Sequence, residues 1–162
     1  MEQLTGSQFR PGNAADADHI AIWLADFEAA LHTADRAGLA SLFAQECNWR
    51  DLLAFTWKNT TRVGTDAIVD TLINAQPEIQ AREFEVARNR TTPREVERAG
   101  VDVIEAIFGF ETAVGRGHGV VRLLAAHPDT AWVLMTSLSE LKRSEESITT
   151  PLQSNPEGSR HA

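Results

Sequence analysis

Apolar residues recur at three- and four-residue steps from Ile20 through Trp23, Leu24 and Phe27 to Leu31, the one-sided stripe of an amphipathic helix. Asp16 or Asp18 can cap the first free amides, so the helix is expected to start there. His32, Thr33 and Ala34 break the pattern, and Asp35 opens a short second helix with Leu39, Leu42 and Phe43 inside. From 47 to 57 the period becomes two. Cys47, Trp49, Asp51, Leu53, Phe55 and Trp57 then share one strand face, with Asp51 its single charged member. A third helix follows Gly64, capped by Thr65 or Asp66, with Ile68, Val69, Leu72 and Ile73 inward and Pro77 at its exit. The rest reads as strands: one around Phe84 and Val86, a turn at Gly100, then 101–113, 116–124 and 130–141, with a turn at His127, Pro128 and Asp129. Helices first and antiparallel strands after them predict an α+β domain over 16–143. Residues 1–15 read as a flexible lead-in and 144–162, rich in Ser, Thr, Pro and Gly, as a mobile tail.

Charge and composition narrow the partners. A formal net charge of -8 over 162 residues argues against nucleic acid, which needs a clustered basic face. Arg82, Arg88, Arg90, Arg94 and Arg98 do cluster, but Glu83, Glu85, Glu95 and Glu97 interleave with them as on a solvated strand and loop. Cys47 is the only cysteine, so no internal disulfide forms, and its apolar neighbours suit a small buried hydrophobe. No apolar run approaches the roughly 20 residues that span a bilayer, and the start has no secretory pattern. No membrane partner and a cytoplasmic location are therefore expected. No histidine or carboxylate spacing suggests a metal. Gly115 to Gly119 is glycine-rich but lies between strands, so no dinucleotide cofactor is expected.

Three stretches carry a family resemblance: LFAQECNWRDL (Leu42 to Leu52), RVGTDAI (Arg62 to Ile68) and FGFETAVGRGHGVVRL (Phe108 to Leu123). The first two resemble the nuclear transport factor 2-like superfamily, with its ketosteroid isomerases, SnoaL-like polyketide cyclases and scytalone dehydratase-like enzymes. The third is similar to the N-terminal accessory domain of some flavin-containing monooxygenases. The resemblance implies a cone of three N-terminal helices packed on a curved, mixed sheet. It also implies a homodimer joined through the sheet, and two alternative partners: an apolar small molecule or a flavin-dependent oxygenase.

Asp51 is the leading candidate for chemistry. The resemblance places it where isomerase-like members hold a general base, and a carboxylate among Trp49, Leu53, Phe55 and Trp57 is desolvated. The alternative is structural: Asp51 pairs with Arg50, Arg62 or a backbone amide and holds the loop. Phe27 stands where the isomerases carry a tyrosine donor, and the chain has no tyrosine. Trp23, Phe27, Trp49, Phe55, Trp57, Phe108, Phe110 and Trp132 are candidate pocket-lining residues, or equally a core. Glu111 and His118 are a weaker acid–base pair, expected to face each other if the hairpin turns near Val114 and Gly115. Glu105 and Glu111 alternate with Ile104, Phe108 and Phe110, so their face, continued by Arg116, His118 and Arg122 on the next strand, points away from the core and is the candidate dimer contact. The functions in contention are a proton-transfer isomerase, cyclase or dehydratase, a non-catalytic accessory or dimerisation domain, and a protein-binding scaffold.

Overall fold

The computed structural model describes residues 14–141, so the expected tail at 144–162 and all of the expected lead-in at 1–15 but Ala14 and Ala15, which are helical, lie outside the described residues. Three helices form: α1 (Ala14–His32), α2 (Arg36–Ala40) and α3 (Thr65–Ile79). Helix α1 begins earlier than expected, so Asp16 lies inside its first turn, where a carboxylate favours the helix dipole. Asp35 does cap α2, accepting from the Gly38 amide at 3.0 Å. Helix α3 has no side-chain cap at all. Gly64 (φ 91°) stands at its N-cap, and the Thr65 hydroxyl instead donates to the Ala44 carbonyl. Pro77 sits within the last turn, and the helix runs on to a left-handed Gln80.

Seven strands make one sheet: β1 (Phe43–Leu52), β2 (Asn59–Val63), β3 (Arg82–Val86), β4 (Arg94–Arg98), β5 (Val101–Glu111), β6 (Gly115–Leu124) and β7 (His127–Leu141). Their order is β2-β1-β7-β6-β5-β3, with β4 also pairing β5. Only β1 and β7 run parallel; the sheet is mixed, and the helices packed on it complete an α+β cone. Two expectations about the strands fail. The 47–57 pattern is not one strand: β1 stops at Leu52, the chain turns, and β2 returns along it with Asp51 opposite Thr60. Strand β7 begins at His127 because the turn before it is the two-residue Ala125–Ala126.

The core lies between the concave sheet face and the helices. Ile20, Trp23, Leu24, Phe27 and Leu31 of α1 and Ile68, Val69 and Leu72 of α3 are buried against Trp49, Phe84, Phe108, Phe110, Leu123 and Leu134. Residues Gly117 and Gly119 of β6 face the same way. A Cβ at Gly117 would stand 2.4 Å from the Phe110 ring, and one at Gly119 would stand 2.4 Å from the Phe108 ring and 2.3 Å from the Met135 carbonyl. The glycines therefore let two phenylalanine rings lie flat across the neighbouring strand. Among the described residues, no helix is long and apolar enough to cross a membrane.

Candidate functional site

The hairpin at the end of β1 is organised around Asp51, which has no exposed surface. Its Oδ2 accepts from the Phe55 amide (2.9 Å), the Thr56 amide (2.8 Å) and the Thr56 hydroxyl (2.8 Å). Its Oδ1 accepts from the Thr136 hydroxyl (2.6 Å) and more distantly from the Phe55 amide (3.1 Å). With its proton committed to Asp51, Thr136 accepts from the Trp49 indole at 2.9 Å. Thr56, committed likewise, accepts from the Thr60 hydroxyl at 3.1 Å. An Asp whose side chain captures amides a few residues on makes its own turn. That turn ends the strand where alternation alone would continue it. Of the two sequence readings, this geometry matches the loop-holding one, with backbone amides rather than Arg50 or Arg62 as partners. A general base needs a lone pair aimed at substrate; here both oxygens are occupied by the chain's own donors.

Six of the eight pocket candidates form the core itself. Trp23 stacks on Phe27 at 4.9 Å between ring centroids, and Phe27 meets Phe84 edge-on at 5.2 Å. Phe84 stacks on Phe110 at 5.0 Å and lies 5.9 Å from Phe108. Phe110 continues to Phe55 and Phe55 to Trp49, at 5.9 and 5.5 Å. One chain of touching rings thus runs from α1 across the sheet to the Asp51 hairpin. The tyrosine-like position, Phe27, offers only hydrocarbon. The other two candidates depart from the expectation: Trp57 is 46% exposed on the hairpin tip, and Trp132 is half-buried outside the interior cluster.

The outer sheet face holds the remaining candidates in a register different from the expected one. Thr112 accepts from the amides of Val114 and Gly115 and tightens the β5–β6 turn. Glu111 therefore lies opposite Arg116, and His118 opposite Gly109. Glu111 is ion-paired with Arg116, and the His118 Nδ1 is hydrogen-bonded to the Ser139 hydroxyl. The expected Glu111–His118 pair does not form, although both line one cleft of about 270 Å³ with Arg88, Arg90 and Glu85.

A stronger cluster lies further along the same face, around Glu105 and Arg122 of the expected charged set and drawing in Arg94 and Arg98. Glu105, only 12% exposed, accepts from the Arg98 guanidinium at 2.8 and 3.0 Å and from Arg122 at 2.7 Å, with Arg94 at 3.6 Å. The Arg98 hydrogen bonds, with help from Arg122 and against the cost of burial, hold its carboxyl at a pKa of about 2. Cross-strand pairing sets this up, since Arg94 and Arg122 are the residues opposite Glu105. At Cys47 burial pushes the thiol pKa up, only partly offset by the Thr65 hydroxyl, which suits a packed side chain rather than a nucleophile. No three His, Cys, Asp or Glu side chains among the described residues converge as a metal site.

No protein-family model matches the chain, and no curated protein matches it by sequence. Solved structures do match in shape. A cystatin-like fold protein from Burkholderia xenovorans superposes with a TM-score of 0.53 at 13% identity, over 80% of this chain and 96% of that one. A candidate isomerase from Bacillus subtilis gives 0.52 at 14% identity, over 76% and 88%. A candidate dehydratase of the nuclear transport factor 2-like family from Streptomyces avermitilis gives 0.50 at 10% identity, over 78% and 97%. At such identities the likeness is one of fold.

Proposed function

We propose that this domain of nuclear transport factor 2-like fold is a non-catalytic association module, whose interior serves its own stability and whose outer sheet face makes contacts. The observation that carries the reading is the filled cone. The chain of rings from Trp23 to Trp49 occupies the space a ligand would need, and Asp51 is spent on its own hairpin. The descriptions of two fold relatives as isomerase and dehydratase keep proton transfer as the alternative. It requires rings to move aside and Asp51 to release its donors.

The outer face has the composition of a contact surface. Ile107, Val120 and Met135 form one half-buried apolar row across β5, β6 and β7. At one end Arg94, Arg98 and Arg122 surround Glu105; at the other, Glu111 and Glu140 flank Arg116, with Arg88 and Arg90 lining the same cleft. A two-fold axis through the row sets the apolar strip on its own copy, with charged, hydrogen-bonding groups at its rim, as an isologous interface requires. The favoured partner is a second copy of the chain. A flavin-dependent oxygenase, the partner implied by the accessory-domain resemblance, belongs to the same reading.

Light scattering is the test. The expected mass is twice 17.8 kDa, falling to the monomer in Val120→Glu. A monomeric wild type at concentrations of tens of micromolar or more contradicts the self-association part of the reading (~10–100 μM spans weak dimers).

A further inference from the structure

We infer that the hairpin tip between β1 and β2 is a second contact surface, built to dock an acidic, apolar-bearing segment of another protein. The inference rests on the reading of the domain as an association module.

The tip exposes two large apolar side chains, Leu53 (45%) and Trp57 (46%), while Ala54 and Phe55 between them are buried. Both exposed residues hold left-handed backbone, φ 71° and 60°, which is unfavourable for bulky side chains. Such positions persist only where the surroundings over-determine them. Here the surroundings are the Asp51 carboxylate on the amides of Phe55 and Thr56, and the Leu53 amide on the Lys58 carbonyl at 3.0 Å. Burying Phe55 does not require Trp57 to point into water. Chain strain and a buried carboxylate are thus invested in a stiff loop that presents an aromatic anchor, the residue type that dominates contact energies when desolvated. Stiffness also limits the ordering cost of association.

Charge selects the occupant. From Leu52 to Thr65 the chain carries no acidic residue, while Lys58 is exposed next to Trp57 and Arg50 is exposed on β1 three residues before Leu53. This is a cationic, apolar tip on a protein of net charge -8. A partner segment with carboxylates flanking an apolar side chain meets both features. A lipid surface fits less well, because the overall charge opposes the anionic headgroups that the two cations would seek.

The test selects random short peptides displayed on phage against the intact chain, then measures the synthetic winners by fluorescence anisotropy. The expected winners are rich in Asp and Glu around an apolar or aromatic residue, and they bind more weakly as salt is raised. Trp57→Ala lowers affinity about tenfold or more, Lys58→Glu lowers it about threefold or more, Trp57→Phe retains most of it, and Val120→Glu leaves it unchanged. Circular dichroism of the variants confirms that the fold is kept; the substituted side chains are exposed. Selection of no peptides, winners without acidic enrichment, or binding indifferent to Trp57→Ala overturns the inference. So does Trp57-dependent binding to phosphatidylcholine–phosphatidylserine vesicles in place of peptides. A phenolic ligand found inside the cone overturns the module reading instead, and it does so without changing peptide binding at the tip.

Discussion

Burying a carboxylate is costly unless donors replace the water it loses. At Asp51 two amides and two hydroxyls do so. The Asp51→Asn variant puts an amide nitrogen, itself a donor, against donors, and it should lower stability by about 2–4 kcal/mol. Urea unfolding reads this directly. A variant as stable as wild type, or more so, is what a strained catalytic base gives on removal, and it contradicts the loop-holding role. The sequence marked Asp51 as the one charge in an apolar alternation, which is why it drew attention. Its partners were not legible, because Thr136 lies 85 positions away and reaches Asp51 only through the parallel β1–β7 pairing. The turn made by Phe55 and Thr56 was hidden by their own fit to the strand pattern.

Among the elements, β5 and β6 divide the molecule into an inside and an outside. Alternation alone identified Ile104, Phe108 and Phe110 as the inner set. Register was harder to read. A turn tightened by Thr112 shifts every partner by two positions from the expected pairing, so Glu111 meets Arg116 and the Glu105–Arg122 pair appears. Glu105 makes a prediction with a definite sign. Its folded pKa of about 2 lies below the usual carboxylate value of about 4.3, so its contribution is full above pH ~5 and lost as pH falls toward 2. The arginines are partly exposed and screened by water, which leaves about 1–2 kcal/mol. Glu105→Gln should be less stable than wild type by that amount at pH 7, and the gap should close towards pH 2 in calorimetry. An undiminished gap at acid pH shows that the loss is one of packing rather than charge. On the inner face, Gly119→Ala drives a methyl into the Met135 carbonyl and the Phe108 ring. It should cost about 1–3 kcal/mol or more by chemical denaturation; a neutral result means that the rings are not pressed against β6.

For the molecule as a whole, fold class and layer order were readable because both follow from local periodicity. Whether the cone is open or filled was not, because it depends on which rings meet across elements distant in the chain. Phe27, Phe84 and Phe110 touch only after α1, β3 and β5 are assembled. The same sequence pattern serves a pocket or a core, and packing decides between them. The most direct test is a thermal-shift comparison of wild type and Phe108→Ala against apolar carbonyl and phenolic compounds, since a ligand of the folded state raises its melting temperature. The filled interior predicts no shift for wild type. It predicts a variant destabilised by about 3–5 kcal/mol that small aromatic compounds partly restore by entering the vacated space. A wild-type shift that Asp51→Asn abolishes would contradict the filled cone and return the domain to the enzymes.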